Sequence, residues 1–167
     1  MDIISHGLWG GVTLGQKKQK CFVWAFIFSI LPDIFAEGIM FSLIFLGFDN
    51  MPGLEHGHPD IVDFPLYAQN FYNATHSLII FSLVFGIIWL FRKKPFLPLA
   101  AWGIHILIDI PTHSLQLFTT PFLWPFSDYK FNSIGWDSPF ILIPNIALLT
   151  FFYGIWFWRE RSKKSMK

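Results

Sequence analysis

Charge is the scarcest property of this chain. Lys, Arg, Asp and Glu make up 14% of its 167 residues, against about 25% in a soluble domain, so an ordinary water-facing surface is excluded. Net charge is +1, and without a basic face nothing marks a nucleic-acid partner. The single cysteine, Cys21, cannot close an internal disulfide and rules out a structural thiolate metal site. No G-x-S-x-G stretch occurs, which removes the usual footing of a serine-nucleophile hydrolase. The N-terminus opens with Met1 and Asp2 and carries its lysines after the apolar part, so no cleavable leader is expected. No internal repeat and no low-complexity tract is present.

Apolar length fills the space that charge leaves. The chain is 53% hydrophobic and 20% aromatic. Four apolar segments, 21–48, 71–91, 95–118 and 138–158, are each long enough to cross a hydrocarbon core of about 30 Å. The expected fold is an all-α integral membrane bundle of four long spans, with residues 1–16 as a short membrane-embedded N-terminal helix. Residues 1–158 form one transmembrane domain in this reading, and 159–167 a frayed basic tail. The first segment is over-long and carries Pro32, which removes a backbone donor and predicts a kink.

Eleven of the twelve basic residues lie at alternate ends of these segments: Lys17, Lys18 and Lys20 before the first, Arg92, Lys93 and Lys94 after the second, and Arg159, Arg161, Lys163, Lys164 and Lys167 after the fourth. The intervening connections, 49–70 and 119–137, carry Asp49, Glu55, Asp60, Asp63, Asp128 and Asp137 instead. The positive-inside rule puts the C-terminus in the cytoplasm and the two longer connections outside. Trp24, Trp89, Trp136, Trp156 and Trp158 sit near the segment ends, where an aromatic belt belongs. The membrane bilayer is therefore the expected partner.

Within these segments the few ionisable side chains are conspicuous. In "WGIHILIDIPTHS", residues 102–114, His105, Asp109 and His113 recur every four residues and stack on one helical face. Asp33 and Glu37 lie in the first segment, His76 in the second, and His6 in the N-terminal one. Counted at about 1.5 Å per residue from the basic ends, Asp33 stands about 20 Å up, His105 about 15 Å, Asp109 about 21 Å, His76 about 24 Å and His6 about 15 Å. Ionisable groups inside a membrane are costly and face a cavity or one another. Three imidazoles and two carboxylates at a shared level make a divalent-metal site, with Zn²⁺ the first expectation and Mn²⁺ or Fe²⁺ compatible. Glu37 and His113 are the candidates for proton transfer. His113 also reads as a ligand, as a supporting partner of one, or as an interfacial histidine. His56 and His58 in "GLEHGHPD" read as a solvated acidic turn. The segment "TTPFLWPFSDYKFNSIGW" reads as a surface anchor or as a lid over the outward mouth.

"SHGLWGG" at 5–11, "LPD" at 31–33, "THSL" at 75–78 and "HILIDIPTH" at 105–113 together resemble the bacterial membrane-bound metal-dependent hydrolase family. The resemblance touches four separated segments. It implies a small multi-span fold, an inner-membrane location, and a likeness to zinc-dependent phospholipases C. It also implies that His6, Asp33, His76, His105 and Asp109 match the presumed metal-site positions. Where that family often has a second acidic residue two after its "PD" aspartate, this chain has Phe35.

Two function classes follow. One is a metal-dependent hydrolase acting on a lipid-like or other amphipathic ester or phosphodiester. The other is a metal-ion or proton transporter or channel using the same cluster.

Overall fold

The computed structural model describes residues 1–16, 19–50, 64–115 and 119–165. The described chain is all-helical, with no strand. Helix α1 spans Ile3–Leu14, and its first turn is closed by Asp2, whose carboxylate accepts from the Ser5 backbone N–H at 2.8 Å as an N-cap. Its glycines let α2 approach closely: a Cβ on Gly10 would stand 2.6 Å from Ser29 Cβ and 2.7 Å from the Ala25 carbonyl oxygen.

Helix α2, Gln19–Asp33, contains Pro32 and passes into a π-helical turn, Ile34–Gly38, before α3, Ile39–Phe45. The proline supplies no N–H to the turn below it, and a wide π-turn is one of the ways a helix absorbs such a defect. The helix does not stop there. Gln19–Phe45 runs on as a unit of 27 residues, long and apolar enough to cross a membrane. Helix α7, Pro139–Ser165, contains the second such stretch, Pro139–Ser162. Its continuation makes residues 159–165 an extension of the helix rather than a frayed end.

The other two apolar segments differ from the sequence-based expectation. The second divides into α4, Leu66–Thr75, and α5, Leu78–Arg92, bent by 60° at the break. The cause is local. The Ser77 hydroxyl accepts from the Ile79 and Ile80 backbone N–H groups, so a new helix is capped in mid-segment. The third segment yields a 3₁₀ turn, Leu97–Leu99, and a short helix α6, Ala100–Asp109. Pro111 cannot continue the ladder. Two clear span candidates therefore stand where four long ones were expected, with a bent pair and a short apolar helix between them.

The packing is inverted relative to a soluble domain. Phe45, Leu90, Phe91 and Phe140 are largely exposed, whereas His6, Ser29, His76, Ser77, His105 and Asp109 are fully buried. Helix α6 lies at the centre against α1 and α2. Helix α7 is tied to α1 by Trp9 Nε1 donating to Asn145 Oδ1, Asn145 Nδ2 donating to Ser5 Oγ, and the Tyr153 hydroxyl donating to the Leu8 carbonyl. His56, His58, Glu55, Asp60 and Asp63, with Lys17 and Lys18, lie outside the described residues.

Candidate metal centre

Three places in the fold deliver four ligand-bearing side chains to the same point. Asp33 ends α2 at the π-turn, His76 occupies the break between α4 and α5, and His105 and Asp109 lie one turn apart on α6. The break matters for His76. It is the C-cap residue of α4, and the Trp102 indole of α6 donates to the Thr75 carbonyl beside it at 2.6 Å. The bend is thereby pinned against the helix that carries the other histidine.

Both imidazoles are oriented by main-chain carbonyls. His105 Nδ1 lies 2.7 Å from the Ser29 carbonyl oxygen and His76 Nδ1 3.0 Å from that of Tyr72. A carbonyl only accepts, so each Nδ1 carries a proton and each Nε2 is turned toward the carboxylates. Those two Nε2 atoms are 3.1 Å apart. Asp33 Oδ1 lies 3.2 Å from His76 Nε2 and 3.5 Å from His105 Nε2. Asp109 Oδ2 lies 3.0 Å from His105 Nε2 and 3.7 Å from His76 Nε2. Metal–ligand bonds of about 2.0–2.1 Å place the corners of a tetrahedron about 3.3–3.4 Å apart, and the five observed separations bracket that value. Asp33 Oδ2 and Asp109 Oδ2 have no hydrogen-bond partner among the described residues. Asp33, His76, His105 and Asp109 form a buried knot that can hold a metal ion.

His6 stands on the opposite side of Asp109. Its Nε2 is 2.9 Å from Oδ1, not Oδ2, its ring packs on His105 at a centroid distance of 3.8 Å, and neither ring nitrogen has a hydrogen-bond partner among the described residues. His113 faces the same oxygen. Its Nδ1 is 3.6 Å from Asp109 Oδ1 and 3.4 Å from Thr120 Oγ1. The Met1 amino group donates to Asp109 Oδ1 at 2.6 Å and lies 3.0 Å from His113 Nε2, and so fills the space between them. The seven site residues thus fall into three groups: four around Oδ2, His6 and His113 around Oδ1, and Glu37 apart.

Glu37 projects from the π-turn into a cavity of about 610 Å³ that it shares with Asp33, Tyr72, His113 and Trp136. The loop expected as an anchor or lid is fastened beside it. Leu78 N–H donates to the Phe122 carbonyl and Ser77 Oγ to that of Trp124. Ser133 holds both sides of the α6 exit, its N–H donating to the His113 carbonyl and its hydroxyl to that of Pro111.

Two supporting residues escaped the sequence reading. Ser29 donates its hydroxyl to the His6 carbonyl at 2.7 Å while its own carbonyl receives His105. Its placement four residues before Asp33 in an apolar helix was the available signal. Asn145 was the other, a lone amide in the last span, and its ties to Ser5 and Trp9 hold α1 in register.

No protein-family model, curated protein or solved structure matches the chain.

Proposed function

We propose that the protein is a metal-dependent hydrolase of the bacterial inner membrane, working on an amphipathic ester or phosphodiester, in line with the four-segment resemblance. The observation that carries this reading is the pair of Nε2 atoms facing each other beside two carboxylates, one of which, Asp33, lines a cavity that also holds the carboxylate of Glu37. Zn²⁺ is the preferred occupant, because the spacing suits a tetrahedron and the donors are nitrogen and oxygen.

Asp33, His76, His105 and Asp109 would hold the ion, and His6 and His113, beside the other oxygen of Asp109, would keep that carboxylate in place. A bound ion would polarise the scissile carbonyl or phosphoryl oxygen and lower the pKa of water. Glu37 then takes the proton of the attacking water and returns it to the leaving oxygen, yielding acid and alcohol. Ser29 and Tyr72 hold the ring orientations through their carbonyls.

The same reading places the Lys/Arg-rich ends and the C-terminus in the cytoplasm and opens the cavity outward. It counts the bent pair as a third span and 97–109 as a short internal helix. A transporter is the second reading, and the π-turn after Pro32 favours it, because broken helices line transport sites. Detergent-purified protein, metal-loaded and chelated, assayed on a panel of esters and phosphodiesters, decides between them. Metal-dependent turnover is expected. Metal or proton flux in vesicles from a protein inert toward the whole panel would overturn the hydrolase.

A further inference from the structure

The candidate site accounts for one cavity. A second, of about 280 Å³, lies between α1, α6 and α7 and is lined by Trp9, Ile108, Ile141, Pro144 and Leu148. It reaches Met1, which also lines the cavity holding Glu37 and His113. The two spaces therefore adjoin at one residue. Their chemistry differs. The first presents Asp2, Asp33, Glu37 and His113, and among the described residues no charged side chain lines the second. Its one polar lining side chain, Asn145, has its amide engaged by Trp9 and Ser5 and offers little to a polar ligand. On the outer side Leu148 and Phe140 are exposed on a helix long and apolar enough to span the membrane.

We infer that this groove is the acyl-chain subsite of the enzyme. A membrane lipid with one alkyl chain laid between Trp9, Ile108 and Leu148 would bring its head-group linkage past Met1 to the metal centre. A hydrocarbon chain is the occupant these walls accept, since burying a polar group there without a partner is costly. Access is lateral, from the lipid phase along α7. The identity of the reacting head group rests on the hydrolase reading; occupancy of the groove by a chain does not.

The test uses the full chain in vesicles of phosphatidylethanolamine and phosphatidylglycerol carrying phosphatidylethanolamine with a diazirine at the end of one acyl chain. After irradiation, cross-links should concentrate on Trp9, Ile108 and Leu148, and Ile108→Trp should abolish them at Trp9. Even labelling of lipid-facing positions such as Trp89, Leu90 and Phe91 on α5, with no enrichment in the groove, would overturn the inference whatever the activity assays give. A second measurement compares nitrophenyl acetate with a long-chain nitrophenyl ester. Leu148→Trp, at a lipid-exposed position, should lower turnover of the long ester at least tenfold and leave acetate turnover and bound metal unchanged. Equal loss on both esters would also overturn it. Inactivity toward both esters with an enriched cross-link pattern would sink the hydrolase reading alone.

Discussion

The Nε2 atoms of His76 and His105 face each other across 3.1 Å, and each ring has a proton committed at Nδ1 to a backbone carbonyl. With Asp33 and Asp109 alongside, four ligand atoms meet at one point, and the two carboxylates repel one another unless protons or a metal ion lie among them. The metal predictions follow from that repulsion.

Elemental analysis of the purified protein should find one divalent ion per chain. His105→Ala and His76→Ala should each empty the site. Asp109→Asn should weaken it, because Oδ2 is one of the four clustered ligand atoms. His113→Ala should leave the ion bound, because His113 faces the other oxygen. Loss of the ion in His113→Ala would contradict that ligand set.

Chelation should lower thermal stability markedly. A ligand present at a thousandfold its Kd stabilises the folded state by about 4 kcal/mol, and removing it exposes the repulsion between the Asp33 and Asp109 carboxylates. Chelated Asp33→Asn should consequently melt higher than the chelated wild type, since one negative charge has left the knot. Melting curves followed by tryptophan fluorescence in detergent, with and without chelator, provide the comparison. The opposite ranking would show that the two carboxylates do not repel in the metal-free state.

Glu37→Gln should keep its metal and lose roughly 10²–10⁴-fold in turnover, the usual contribution of a positioned proton-transfer group. The two quantities are measured on one preparation. Loss of metal together with activity would make Glu37 a ligand instead.

Gly10→Ala should damage the site from a distance. The added methyl meets Ser29 and the Ala25 carbonyl at 2.6–2.7 Å, and overpacking of this kind costs about 1–3 kcal/mol. Because Ser29 supplies the carbonyl that orients His105, metal affinity should fall along with stability. Gly86→Ala, with nothing within 4 Å of the new Cβ, is the control and should change neither.

Much of the site could be read from spacing alone. His105 and Asp109, four residues apart on a helix, had to share a face, and depths counted from the basic ends put Asp33, His76 and His6 within reach. What spacing could not supply was direction. His76 reaches the centre because the chain breaks there, and a hydropathy profile runs through "THSLIIF" without noticing that Ser77 caps a new helix. The length of α6 was overestimated for a related reason: Pro111 and the polar Thr112 and His113 were read as the inside of a span when they form its exit. The division of His6 from His105 between two oxygens of one carboxylate lies below the resolution of any sequence pattern.

The main-chain partners of His76 and His105 have an evolutionary consequence. A histidine oriented by a neighbouring Asp or Asn can lose its tautomer through one substitution. Here the acceptors are the carbonyls of Tyr72 and Ser29, and every amino acid placed at 72 or 29 would still present one. The tautomer is therefore independent of the side chains at 72 and 29, which are fixed by packing instead: Ser29 is fully buried beside Gly10 and Tyr72 stacks on the His76 ring. The intolerance extends to residues with no chemistry of their own, the small ones of α1 that set how closely two helices approach.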